Sequence, residues 1–93
     1  MAELTFTSDQ IRAEIKRLVG RVTEREPDEV PDNAHYLDEL GVDSMMAIEI
    51  MIAMDRKFSI DIPEEEFQKA TNVNESVEMI ESWLAERVPA AAS

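Results

Sequence analysis

The sequence predicts an all-α chain, a four-helix bundle with a long first loop and a short third helix. Three observations predict it. Apolar residues recur at helical spacing in well-separated stretches. Capping residues stand just ahead of those stretches, and no segment alternates with the two-residue period of a strand.

The first helix opens at Thr7 or Ser8, with Gln10 three residues after Thr7 as the second half of a capping box. Ile11, Ile15, Leu18, Val19 and Val22 fall on one face, so residues 8 to 24 read as an amphipathic helix. Arg12, Lys16, Arg17 and Arg21 occupy its other faces and read as a solvated flank, ion-paired to Glu14 and Glu24. Prolines, Asp, Asn and a glycine make residues 26 to 43 a long loop. A loop of that length in a small domain needs buried anchors, for which Tyr36, Leu37 and Leu40 are the candidates. A second helix runs from Ser44 to Phe58. Asp61-Ile62-Pro63 breaks it, and Pro63 at a helix start leads "EEEFQKA" into the short third helix. Asn72 with Glu75 resembles a capping box for the last helix, which lines up Val73, Val77, Ile80 and Leu84 with Met79 and Trp83 beside them. Residues 1 to 93 form one domain with its core at about 8 to 87, and the tail from 88, "PAAAS", is expected to fray.

Composition excludes several functions. A chain of 93 residues has room for a modest core but little for a buried substrate cavity with a lid. Its 21 acidic residues outnumber 9 basic ones, and a net charge of −12 repels nucleic acid and anionic membranes while favouring partners with basic patches. Without cysteine, disulfides, thiolate catalysis and cysteine-bound zinc are ruled out. His35 is the single histidine, which argues against a serine triad and against a metal site. No stretch has the length and apolarity of a membrane span, and the N-terminus lacks a signal-peptide core. A cytoplasmic, non-enzymatic monomer is expected. An apolar content of 44% argues against disorder.

The second helix follows directly on "LGVDSMM". Ala47, Ile50, Met51, Met54 and Phe58 cluster on its core side. Met45, Glu49, Ile52 and Arg56 fall on the opposite side, so two large apolar residues share the outer face with Ser44. Ser44 has no base except His35 and lacks the flanking glycines of a nucleophile elbow, so it is no catalytic nucleophile. A helix N-terminus does suit an attached anion, which leaves two readings open. Ser44 is either a hydroxyl modified by another enzyme, or one of a pair, Asp43 and Ser44, that merely caps and starts the helix.

Residues 36 to 73, "YLDELGVDSMMAIEIMIAMDRKFSIDIPEEEFQKATNV", resemble the central region of acyl carrier proteins. The family pattern is Phe-x-x-Asp-Leu-Gly-x-Asp-Ser-Leu, for whose phenylalanine Tyr36 stands here, then an amphipathic helix ending in Phe, Ile-Pro, and Thr-Val before the last helix. Tyr36, Leu40 to Ser44, Glu49, Phe58, Ile62-Pro63 and Val73 fall in that frame without a gap, with Met45 at the usual leucine. Including the outer helices, the resemblance covers about residues 8 to 87.

The resemblance implies that a phosphopantetheinyl transferase attaches 4′-phosphopantetheine from coenzyme A to Ser44, and that Asp43 helps it position metal and serine. The terminal thiol then holds acyl groups as thioesters, which fits a chain without cysteine. Acyl synthases, ligases and transferases are the implied partners, in fatty-acid, modified-lipid or polyketide synthesis. Met45, Glu49, Ile52, Asp38 and Glu39 are the expected recognition residues. An acyl-chain pocket is expected between helices two and three, lined by Ile50, Met54, Ile62, Phe67 and Ala70.

Two departures stand out. Residues 44 to 58 hold Glu49 and Asp55 against Arg56 and Lys57, where fatty-acid carriers have a strongly acidic helix, and Met46 stands where an acid is common. A specialised carrier is the expectation. Peptidyl carriers, the alternative, commonly have His before the serine, whereas this chain has Asp43. An acidic helical adaptor without a prosthetic group is a third reading, although no EF-hand loop pattern is present.

Overall fold

The computed structural model describes residues 6 to 92, with side chains described as far as 85. Four helices follow in order, α1 (Ser8–Thr23), α2 (Ser44–Phe58), α3 (Glu64–Phe67) and α4 (Val73–Ala92), and a single 3₁₀ turn at Pro27–Glu29 interrupts the first loop. Among the described residues there is no strand. α1 packs on α4 and on α2, and α3 closes against α2.

Local chemistry accounts for the helix boundaries. The Thr7 hydroxyl accepts from the Gln10 amide at 3.1 Å and the Gln10 side chain accepts from the Thr7 amide at 2.9 Å, so the reciprocal box predicted for α1 is formed. At α4 only half of the expected box is present. Asn72 accepts from the Glu75 amide at 2.8 Å, but the Glu75 carboxylate turns back to the Thr71 amide and hydroxyl, both at 2.8 Å. Those bonds hold the Glu75 carboxyl below its usual range. Pro63 is the N-cap of α3 and not its first helical residue, and α3 ends at Phe67, shorter than "EEEFQKA" implied. The backbone of α4 is helical to Ala92. Ser93 lies outside the described residues.

The core collects the predicted stripes. Ile11, Ile15, Leu18 and Val19 of α1, Ile50, Met54 and Phe58 of α2, and Val73, Val77, Ile80 and Leu84 of α4 are all buried, with Met79 and Trp83 packed at the edge. Phe6 meets Phe58 edge to face at 4.9 Å between ring centroids.

The long loop is pinned by Val30, Ala34, Tyr36, Leu40 and Val42, all buried. Leu37, expected among the anchors, is instead 60% exposed, because the turn that buries Tyr36 and Leu40 directs the residue after Tyr36 outward. Polar contacts complete the anchoring. Asp32 accepts from Lys16 Nζ at 2.5 Å and Arg12 Nη1 at 2.7 Å, and its backbone carbonyl accepts from the Asn74 amide at 3.0 Å. The lysine bond leads in holding the Asp32 carboxyl below its usual range. Of the ion pairs expected on α1, Arg17–Glu14 is present. Arg12 and Lys16 reach across to the loop because they face it, and Glu24 serves as a left-handed C-cap with φ 62°.

Candidate functional site

The loop delivers Ser44 to one end of the bundle. Gly41 takes a left-handed φ of 71°, a conformation that costs other residues a Cβ clash, and this turn lets the Val42 amide reach the Tyr36 carbonyl at 2.9 Å. Val42 is thereby buried and Asp43 emerges extended, as the N-cap of α2. The Asp43 carboxylate accepts from the Met46 amide at 2.9 Å, and the Asp43 carbonyl accepts from Ala47 at 2.9 Å. Ser44 is the first helical residue. It is exposed, and among the described residues its hydroxyl has no hydrogen-bond partner.

Beside Ser44 a groove of about 220 Å³ opens between α2, α3 and the loop. Leu37, Val42, Ala47, Ile48, Met51 and Phe67 make its apolar walls, and Glu64 and Gln68 its polar rim. A second cavity of about 200 Å³ adjoins it, sharing Leu37, Val42, Ala47, Phe67 and Gln68, and is closed by Tyr36, Ile50, Ala70, Thr71 and His35. Three residues expected to line a pocket, Ile50, Phe67 and Ala70, are on these walls. Met54 and Ile62 line neither cavity and sit in the packed core, 0% and 2% exposed.

The outer face of α2 carries Met45, 75% exposed, and Ile52, 48% exposed, with exposed Glu49 and Arg56 between and beyond them. Ile48 extends this surface and also lines the groove. The helical period could have found it, since Ile48 lies four residues before Ile52. Met46 is half-buried and packs on the core, so it is no part of that face. Asp38 and Glu39 are exposed on the loop nearby. Gln68 and Glu64 carried no sequence signal, because their place depends on where the short α3 is laid against α2. His35 is half-buried, and its Nδ1 accepts from the Asp38 amide at 3.2 Å, capping the turn that follows it. No group of side chains suited to a metal ion is present among the described residues.

This geometry fits a covalent phosphodiester and a flexible arm. The hydroxyl is free and exposed at the positive end of a helix, where free N–H groups favour a phosphate, and an apolar groove with a polar rim starts beside it. Comparison with known proteins shows the family of the chain. Residues 13 to 80 match the family described as "Phosphopantetheine attachment site". A curated acyl carrier protein of Zymomonas mobilis subsp. mobilis is 37% identical over 71 residues, which span 76% of this chain and 91% of that protein. The chain belongs to the acyl carrier protein family. Carriers of this family hold acyl groups on covalently attached 4′-phosphopantetheine, and they are carriers and not catalysts. Transferases and synthases are accordingly their general class of partner. No described helix is long and apolar enough to cross a membrane.

Proposed function

We propose that this carrier bears its phosphopantetheine on Ser44 and presents acyl cargo to partner enzymes along the outer face of α2. The observation that carries the assignment is the unpartnered, exposed Ser44 hydroxyl at the N-terminus of α2, on the lining of the groove between α2, α3 and the loop. When bound, the arm supplies the terminal thiol on which cargo is held. Ser44 Oγ provides the point of attachment, and the first-turn amides of α2 favour the phosphate charge. Asp43 already spends one carboxylate oxygen on the Met46 amide, so it holds the helix start in place, and its second oxygen remains available to a metal ion brought by a transferase.

The apolar walls of the two cavities would shelter a short acyl chain, with Ile50, Phe67 and Ala70 at the inner end. Asp43 in place of the histidine of peptidyl carriers supports acyl cargo, and a neutral α2 supports a specialised carrier with its own synthases. Met45 and Ile52 supply apolar contact, and Glu49, Asp38 and Glu39 supply orienting charge.

The test is intact mass after incubation with coenzyme A and a broad-specificity phosphopantetheinyl transferase. One phosphopantetheine per chain is expected, and none on Ser44→Ala, whose fold is retained because alanine is tolerated in a first helical turn. Loading of Ser44→Ala would assign the arm to another hydroxyl.

A further inference from the structure

In a chain where acids outnumber bases by 21 to 9, cations have no shortage of carboxylates to pair with. Most of the described ones do find partners. Arg12 and Lys16 hold Asp32, Arg17 holds Glu14, Lys69 holds Glu66, and Arg25 donates to the Leu40 carbonyl at 3.2 Å. Arg21, Arg56 and Lys57 are exposed, and among the described residues their side chains make no hydrogen bond or ion pair.

These three lie on one side of the molecule. Arg21 lines a groove of about 350 Å³ between α1 and α2, with Leu18 and Val22 on one wall and Glu49, Ile50 and Ala53 on the other. The Glu14 carboxyl is held low first by its bond to Arg17, against its partial burial, with smaller contributions from the charges of Lys57 on α2 and Arg21 on α1. Arg56 follows Ile52 by one turn on the outer face of α2, about 18 Å along the helix from Ser44. The charge along the outer face of α2 is therefore graded. Asp38, Glu39 and Asp43 mark its Ser44 end, Glu49 is the one acid among Met45, Ile48 and Ile52 in its middle, and Arg56 and Lys57 mark its far end, with Arg21 of α1 facing Glu49 and Ala53 across the groove.

A uniformly basic partner would be drawn to one end of this face and repelled from the other. We propose that the enzymes docking on this carrier present an acidic surface to the patch formed by Arg21, Arg56 and Lys57, so that opposite charges at the two ends fix the direction in which α2 is read. The proposal rests on the reading of α2 as the docking face. The net charge of −12 argues against a second copy or an anionic membrane as occupant, since either would be repelled at long range.

The full chain, loaded with phosphopantetheine, is assayed for acyl transfer onto its thiol in clarified extract of its native host, against Arg21→Glu/Arg56→Glu/Lys57→Glu. Circular dichroism and thermal unfolding check that both proteins are equally folded. Initial transfer by the triple variant is expected to be about tenfold slower at low salt and to recover as salt is added, because screening removes a repulsion. The wild type should slow over the same range, because screening removes an attraction there, so that the two rates converge. Carbodiimide, which joins an amine to a carboxylate only on contact, should link Lys57 to Asp or Glu of the enzyme that performs the transfer. An equal or faster triple variant overturns the proposal, as does a slow variant that salt does not rescue. Lys57 cross-linked only to a second copy of the chain, or a difference between the two proteins that arises only when anionic vesicles are added to the extract, overturns the choice of occupant. Failure of the wild type to take up phosphopantetheine at all would instead bring down the carrier reading itself, before the patch is probed.

Discussion

The buried hydroxyl pair between the loop and α4 offers the sharpest test of how the site is held. Tyr36 OH and Ser76 Oγ are 2.7 Å apart, and the two residues are 8% and 0% exposed. The Tyr36 amide also donates to the Thr71 carbonyl at 2.9 Å, so this one residue ties the wall of the inner cavity to the start of α4. Tyr36→Phe leaves Ser76 buried without its partner, and Ser76→Ala does the same to the phenol. Stranding a buried polar group costs about 1–3 kcal/mol. In a domain of this size that lowers Tm by about 4–8 °C per kcal/mol. The double variant strands nothing, so its loss should fall below the sum of the two single losses by at least about 1 kcal/mol, measured by urea or thermal unfolding. A second readout is available because Tyr36 is the only tyrosine. Burial, opposed by the bond to Ser76 and aided by the Glu75 charge, raises its phenol to about 12. The folded state thus favours the neutral phenol. Its contribution is complete below the ordinary tyrosine value near 10 and is lost as pH rises through about 12. Ultraviolet titration should show that delayed ionisation. Additive single losses, or ionisation of the folded protein near 10, would refute the reasoning.

Gly20→Ala places a Cβ 2.5 Å from the Arg25 carbonyl oxygen, a backbone atom that cannot swing aside. Against about 1 kcal/mol of better helix propensity, the overpacking should leave a net loss of roughly 1–3 kcal/mol in urea unfolding, and an unchanged or higher stability would contradict it. Met45→Ala removes a side chain that is 75% exposed and so should leave stability within about 0.5 kcal/mol, yet lower transfer from a cognate synthase roughly tenfold. Glu49→Gln should cost less, and a harmless Met45→Ala combined with steep loss of activity in salt would show that charge dominates recognition.

The helices were legible because their apolar residues repeat every three or four positions and their ends carry side-chain caps, which act over three residues. Thr7 and Gln10 show this, and so does the exact frame from Leu40 to Ser44. Leu37 was not legible in the same way. Its neighbours Tyr36 and Leu40 are buried, and an irregular loop gives no period from which to tell which apolar residue turns outward. The rim residues Glu64 and Gln68 were hidden for a related reason. Their position follows from α3 being a single turn held by Phe67, with the Asp55 carboxylate accepting from the Ile62 amide at 3.3 Å to fix the connection. Likewise, Met54 reads as a pocket residue from α2 alone, but it faces the centre of the bundle and is fully enclosed there.

α2 has to satisfy two demands that pull in opposite directions. Its inner side must be packed tightly enough to hold the domain together, and Ile50, Met54 and Phe58 are 2%, 0% and 1% exposed. Its first two turns must stay accessible, and there Met45 is exposed on the outer face while Ala47, Ile48 and Met51, exposed or half-buried, line the groove. The helix resolves the conflict along its length. Packing is densest toward Phe58, where Phe6 and α1 cover it, and loosest at Ser44, where α3 is only one turn long. A longer α3 would cover the groove, and a shorter first loop could not carry Leu37 across it. The short helix and the long loop, the two irregular features of the bundle, therefore leave Ser44 beside an open groove, where the proposed arm and its cargo would lie.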